Sequence, residues 1–121
     1  MRTILVCGGR KYGNKDRLWA VLDALVNCSE ENPLGDHVRI IHGAALGADV
    51  LADQWATCNW KTVQMFPADW NKHGAMAGPI RNQQMIDEGK PDLVVAFPGG
   101  AGTADMVRRA RAAGIEVMEV S

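Results

Sequence analysis

The stretch Leu93-Val94-Val95-Ala96-Phe97-Pro98-Gly99-Gly100-Ala101-Gly102-Thr103 decides the fold, because an apolar run ends abruptly in a glycine-rich turn. A run that is apolar at every position is typical of a strand buried on both faces of a parallel sheet. Two earlier runs end in the same way. Ile4–Cys7 is followed by Gly8-Gly9, and Val38–His42 is followed by Gly43-Ala44-Ala45-Leu46-Gly47. The sequence therefore predicts three parallel strands that each leave the sheet through a turn containing glycine.

Short β-like runs alternate with helical stretches along the chain. The strands are predicted at Thr3–Cys7, Val38–His42, Thr62–Phe66, Asp92–Phe97 and Ile115–Val120. The helices are predicted at Asp16–Val26, Asp49–Cys58, Pro79–Glu88 and Thr103–Ala113, the last with Thr103 as its N-cap. Strict alternation implies a parallel sheet with helices on both faces. The first and fourth strands are apolar throughout and the third and fifth alternate as edge strands do, so the predicted order is 3-2-1-4-5.

Length and composition indicate a single domain, residues 1–121, of the α/β class: a Rossmann-like three-layer open parallel sheet of five strands. Thirteen Lys and Arg against fourteen Asp and Glu leave a formal net charge of −1, which argues against a nucleic-acid partner. No apolar run is long enough for a membrane span or a signal peptide. The three cysteines, widely spaced, indicate reduced thiols in a cytoplasmic protein. The histidines lack metal-ligand spacing, so neither a metal nor a cofactor is predicted.

In the predicted order the three glycine-rich turns follow neighbouring strands and meet at one edge of the sheet. Helix N-termini at such an edge offer N–H groups to an anion, and glycine lets the backbone approach a phosphate closely. The sequence therefore predicts a nucleotide-like, phosphorylated small molecule as the partner. The candidate binding residues in and after these turns are Gly8, Gly9, Arg10, Tyr12, Gly43, Gly47, Asp49, Pro98, Gly99, Gly100, Gly102 and Thr103.

Further candidates lie in the connection before the third predicted helix, which is longer than most strand-to-helix loops, and in the first turn of that helix. They are Asp69, Trp70, Arg81 and Asn82. Each functional interpretation has a structural alternative: Trp70 could anchor its loop, and Asp49 could be a first-turn carboxylate favoured by the helix dipole. The P-loop pattern is absent, and Gly100–Asp105 only begins like a dinucleotide-binding fingerprint, so neither Walker-type hydrolysis nor a dinucleotide fold is indicated.

Five motifs in order resemble a branch of the SLOG superfamily, the YspA-like (YpsA-related) small proteins. They are Cys7–Tyr12, Gly43–Asp49, Phe66–Trp70, Ala77–Gln83 and Phe97–Ala104. Gly47-Ala48-Asp49 is similar to an element of the DNA-processing protein DprA. Pro98–Thr103 is similar to the PGGxGT element of the LOG phosphoribohydrolases. The resemblance implies a Rossmann-like fold that binds nucleotides or their derivatives, and a homodimer or a higher homo-oligomer.

One position departs from the LOG pattern. The LOG enzymes carry a glutamate three residues after the threonine, and this chain has Met106 there. A thioether cannot act as a general acid or base, so hydrolysis of the LOG type would need another carboxylate in this chain. Arg81, Asp69 and Asp105 are the remaining catalytic candidates, although Asp105 is expected to point away from the site. Two hypotheses follow: a sensor or nucleotide-handling module, and a hydrolase that cleaves the N-glycosidic bond of a nucleoside 5′-monophosphate or a related nucleotide.

Overall fold

The computed structural model of the protein describes residues 1–33 and 35–121. Its centre is a parallel sheet of five strands in the order β3-β2-β1-β4-β5. The strands are β1 (Arg2–Cys7), β2 (Val38–His42), β3 (Thr62–Met65), β4 (Leu93–Ala96) and β5 (Glu116–Glu119). Both the predicted fold class and the predicted strand order are confirmed.

Within residues 1–33 and 35–121, five α-helices surround the sheet: α1 (Lys15–Leu25), α2 (Ala48–Cys58), α3 (Trp70–His73), α4 (Ala77–Gly89) and α5 (Ala101–Ala112). The short α3 was not predicted, and a 3-10 turn, Gly74–Met76, joins it to α4. The prediction of Thr103 as an N-cap is wrong, because α5 begins at Ala101 with Gly100 as its cap. Four residues after β4 are enough to turn the chain into the helix, so the whole glycine stretch lies in or beside the first turn.

Two apolar layers hold the helices on the sheet. On one face α1 and α2 pack through Leu18, Leu22 and Trp55 against β-strand residues such as Ile4 and Ile40. On the other face Met85, Met106 and Val107 pack α4 and α5 against Leu5, Ile41 and Val94. Consecutive residues of β1 therefore face opposite layers, as expected for a strand at the centre of a three-layer fold.

The register of the central strands determines where their C-terminal ends, and so the turns of the candidate site, lie. Leu5 pairs with Ile41 of β2 and with Val94 of β4, so the three strands end side by side. The edge strands β3 and β5 are mostly exposed. In the part of the chain that the structure describes, no helix has the length and apolar character needed to cross a membrane.

Candidate functional site

A cavity of about 630 Å³, here called the inner cavity, opens where the chain leaves β1, β2 and β4. Segments of α4 and the first turn of α5 complete its wall. The predicted residues that line it are Gly8, Gly9, Arg10, Gly43, Asp49, Trp70, Arg81, Asn82, Gly100, Gly102, Thr103 and Asp105. The predicted residues outside its lining are Tyr12, Gly47, Asp69, Pro98 and Gly99.

The turns after β1 and β4 pack directly against each other at the base of the inner cavity. The N–H of Gly9 donates a hydrogen bond to the carbonyl of Pro98 at 2.9 Å. A Cβ on Gly8 would lie 2.6 Å from the Cβ of Ala48, and one on Gly99 would lie 2.6 Å from the nitrogen of Gly9. Glycine at position 99 is therefore required by the close packing of two backbones, and glycine at position 8 by the close approach of the first residue of α2.

The N-terminus of α5 opens on the inner cavity. A Cβ on Gly100 or Gly102 would meet no atom within 4 Å, so the backbone there is open to approach. No side chain caps the helix. The N–H groups of a first helical turn have no acceptor within the helix, and the helix dipole makes this end positive. These features suit the N-terminus of α5 to hold an anion.

The turn after β2 uses its own N–H groups internally. Oδ2 of Asp49 accepts hydrogen bonds from the N–H of Gly43 at 3.0 Å and the N–H of Ala45 at 3.2 Å. Nδ1 of His42 accepts from the N–H of Ala44 at 3.0 Å. Asp49 is buried, and this burial raises the pKa of its carboxyl. The carboxylate of Asp49 therefore stabilises the turn after β2, and its contact with a ligand stays a prediction.

The tautomer of His42 follows from these contacts. Because Nδ1 accepts a hydrogen bond, the ring proton lies on Nε2, which donates to Oδ2 of Asp53 at 2.8 Å. The His42–Asp53 pair was not predicted as part of the site. The signal in the sequence is the spacing, since His42 ends a strand and Asp53 follows Asp49 by one helical turn.

Arg81 joins α4 to the ends of two strands. Its guanidinium donates to the carbonyl of Gly43 and, at 3.4 Å, to the carbonyl of Phe66. Nε donates to Oδ1 of Asn82 at 3.1 Å. Partial burial lowers the pKa of Arg81, and the charge of Asp49 opposes that shift. Arg81 is therefore a positive group held firmly at the wall of the inner cavity.

Arg10 and Trp70 form a second contact across the site. The guanidinium carbon of Arg10 lies 5.4 Å from the centroid of the Trp70 ring, which is a cation–π distance. Trp70 begins α3 and its side chain is half exposed. The contact links the turn after β1 to the connection between β3 and α4.

The orientation of Asp105 differs from the prediction. The residue that points away from the site is Met106, which is 1% exposed and lies in the apolar layer below α5. Asp105 lines the inner cavity, because α5 packs on the sheet through Met106 and Val107 and so turns the preceding residue toward the cavity. The expectation that Asp105 faces elsewhere is wrong.

The carboxylate of Asp105 is nevertheless fully engaged. It accepts hydrogen bonds from Asn82 at 3.0 Å, from Arg109 at 2.8 Å and from Arg108 at 2.5 Å. Partial burial acts to raise the pKa of Asp105, but the bonds from Arg109 and Asn82 and the charges of both arginines outweigh it and lower the pKa. Asn82 also donates to the carbonyl of Gly102 at 3.2 Å, so the cluster fixes the first turn of α5 against α4.

Three predicted residues have structural contacts outside the inner cavity. The ring of Tyr12 packs against Phe97 with centroids 5.4 Å apart. Oδ1 of Asp69 caps α3 by accepting from the N–H of Lys72 at 3.1 Å. Gly47 has a φ of +78°, and a Cβ there would lie 2.1 Å from the carbonyl oxygen of Gly9. Each of these residues shapes the turns around the site without lining the cavity.

Cys7 and Arg108 are among the lining residues that the sequence analysis did not single out. Cys7 ends β1 at the cavity wall, and burial raises the pKa of its thiol to about 12, so it is a neutral, unreactive group there. Arg108 is exposed, but it lies at the cavity rim where Asp105 holds it. Its position almost two helical turns after the glycine stretch, on the helix that begins there, could have indicated this.

Comparison with known proteins identifies the family to which the chain belongs. The profile of the YspA, cpYpsA-related SLOG family matches residues 2–73, from β1 through α3. The chain belongs to this family. The Gene 61 protein of Mycobacterium phage D29 is a relative of this SLOG chain. The two are 37% identical over an alignment 128 residues long, which covers 98% of the chain and 95% of the phage protein.

Solved structures resemble the SLOG chain in fold. The X-ray structure of TM1055 superposes with a TM-score of 0.72 at 19% identity, covering 97% of this chain and 72% of that one. UDP-GlcNAc 2-epimerase from Neisseria meningitidis superposes with a TM-score of 0.54 at 16% identity, covering 99% of this chain and 32% of the epimerase. Both similarities support the Rossmann-like α/β architecture.

Proposed function

We propose that this SLOG protein binds a nucleotide or a nucleotide-derived phosphorylated ligand in the inner cavity, as a sensor or a nucleotide-handling protein. One observation carries the proposal: the N-terminus of α5, which no side chain caps, opens on a cavity of about 630 Å³ whose wall also holds Arg10 and Arg81. A phosphate group in the cavity would accept hydrogen bonds from backbone N–H groups. The helix dipole and two guanidinium groups would attract its negative charge. The epimerase of similar fold was solved with UDP-GlcNAc bound, which supports a ligand of this class.

Isothermal titration calorimetry tests the proposal. The titrants are nucleoside mono-, di- and triphosphates, ribose 5-phosphate and the unphosphorylated nucleosides. We expect the phosphorylated compounds to bind and the nucleosides to bind at least tenfold more weakly. Nucleosides that bind as tightly as their phosphates would contradict the phosphate site.

Gly100→Val and Gly13→Val form a matched pair for the same titration. A Cβ at either position would meet no atom within 4 Å, so both variants should fold. Gly100 lines the inner cavity and Gly13 does not. We expect Gly100→Val to abolish binding by filling the space next to the helix N-terminus, and Gly13→Val to bind like the wild type. Equal binding by the two variants would place the ligand elsewhere.

The hydrolase alternative depends on a carboxylate that can reach the ribose. Two carboxylates line the inner cavity. Asp49 is engaged with the turn after β2, and Asp105 is engaged with Asn82 and two arginines. We therefore favour binding without turnover. Release of free base from a bound nucleoside 5′-monophosphate, followed by chromatography, would favour the hydrolase instead.

We also propose a homodimer in the cytoplasm. Met76 at the end of the 3-10 turn and Ile80 of α4 are exposed beside the charged residues Asp87 and Glu88 of α4 and Arg109 of α5. An apolar patch with both charge signs at its rim suits a self-complementary interface. Light scattering should give twice the chain mass for the wild type and a smaller mass for Ile80→Glu. A monomer at high micromolar concentration would contradict the dimer.

A further inference from the structure

A second cavity of about 320 Å³, here called the outer cavity, lies next to the inner cavity. The two cavities share five lining residues: Arg10, Gly43, Ala45, Trp70 and Arg81. The lining residues that only the outer cavity has are Ala44, Leu46, Pro67 and Ala68. The two spaces are therefore neighbouring parts of one groove, with the Arg10–Trp70 contact at their common boundary.

We propose that the outer cavity binds the aromatic ring of the ligand, with the indole of Trp70 as the stacking surface. The inference rests on the proposed function, because it assigns the ring of the same ligand whose phosphate occupies the inner cavity. It extends that function by naming the substrate class: a phosphate ester that carries a planar ring, in contrast to a simple sugar phosphate.

The lining of the outer cavity suits a ring. Its own residues are apolar, and no carboxylate lies among the residues of its wall. Leu46 is 71% exposed and Trp70 is 49% exposed, so two large apolar side chains remain open to solvent at this part of the groove. Planar rings stack on indole and on guanidinium faces, and Arg10 supplies the guanidinium beside Trp70.

The same lining does not suit a second phosphate. The N–H groups of Gly43, Ala44 and Ala45 all donate to the side chains of His42 and Asp49. The turn therefore has no N–H group left at these three positions for an anion, unlike the N-terminus of α5. The two ends of the groove differ in chemistry, one with free N–H donors and the other with apolar side chains.

Position 70 provides the test and position 60 the control. Trp70 lines both cavities, whereas Trp60 is exposed near the start of β3 and lines neither. Calorimetry compares ribose 5-phosphate with AMP, GMP, CMP and UMP on the wild type, Trp70→Leu, Trp70→Phe and Trp60→Leu. Circular dichroism establishes that each variant is folded.

We expect the tightest of the four nucleotides to bind the wild type more strongly than ribose 5-phosphate does, by roughly five- to hundredfold. In Trp70→Leu that advantage should disappear, because the affinity for the nucleotide should fall by much more than the affinity for ribose 5-phosphate. Trp70→Phe keeps an aromatic ring and should retain most of the advantage, and Trp60→Leu should match the wild type. The nucleotide should also quench tryptophan fluorescence in Trp60→Leu but not in Trp70→Leu.

The outcomes separate the two proposals. If ribose 5-phosphate binds as tightly as every nucleotide, the ring site is overturned while the phosphate site stands. If Trp70→Leu weakens ribose 5-phosphate and the nucleotide equally, Trp70 positions the groove and does not stack on a ring, which also overturns the inference. If neither ribose 5-phosphate nor any nucleotide binds the wild type, the proposed function fails and the ring site fails with it.

Discussion

Replacing Gly47 with alanine should damage both the fold and the site, because position 47 lies where two turns touch. Its φ is +78°, and the N–H of the next residue, Ala48, donates to the carbonyl of Gly9 at 3.3 Å. An added Cβ would lie 2.1 Å from that carbonyl oxygen and 2.7 Å from the carbonyl carbon of Arg10. These are backbone atoms, so the clash is relieved only by moving the turn after β1.

Gly114→Ala is the matched control, because Gly114 has a φ of +76° and a Cβ there would meet no atom within 4 Å. Strain from a positive φ lowers stability by roughly 1–2 kcal/mol for a residue other than glycine. Gly114→Ala should lose about that amount. Gly47→Ala carries the strain and also the overpacking of two backbones, which typically adds 1–3 kcal/mol. Its loss should therefore be about 3 kcal/mol or more, a large part of the stability of a domain of this size.

Urea denaturation followed by circular dichroism measures both losses. The reasoning requires Gly47→Ala to unfold at a clearly lower urea concentration than Gly114→Ala, with similar slopes. Ligand affinity gives a second readout, since only the change at position 47 displaces Gly9 and Arg10 at the inner cavity. Equal stability losses for the two variants would refute the assignment of Gly47 as a contact between turns.

Three further predictions concern charged and buried side chains. Arg81→Ala should weaken a phosphorylated ligand by roughly ten- to hundredfold in calorimetry, as expected for a charge-assisted contact, and unchanged affinity would contradict its place in the site. Met106→Glu should lower stability by more than about 3 kcal/mol in urea, because the carboxylate would be buried in the apolar layer, and it should release no base from AMP. The folded state lowers the pKa of Asp105. The contribution of its ionised carboxylate to the free energy of unfolding is therefore complete above the unfolded pKa of about 3.9, and it is lost as the pH falls through the lower pKa of the folded state. Asp105→Asn should therefore show a smaller loss of stability between pH 5 and pH 2 than the wild type, and identical pH profiles would refute this.

The sequence by itself determined the sheet and the edge at which the candidate site lies. The strand order follows from the apolar pattern of each strand. The runs in β1 and β4 are continuously apolar, because a strand buried on both faces has few positions for polar side chains, and the runs in β3 and β5 alternate as edge strands do. The boundaries predicted for β2, Val38–His42, are those observed. Local composition can predict these features, because they depend on whether each segment is buried and not on its partner.

The roles of single residues were decided only by the tertiary structure. The glycine turn after β2 is similar in composition to the one at α5, yet its N–H groups are taken by His42 and Asp49. Asp105 faces the cavity and Met106 faces the core because the packing of α5 on the sheet sets the rotation of the helix. Which N–H groups remain free, and which side of a helix is covered, depends on contacts between segments far apart in the chain, and such contacts leave no local pattern in the sequence.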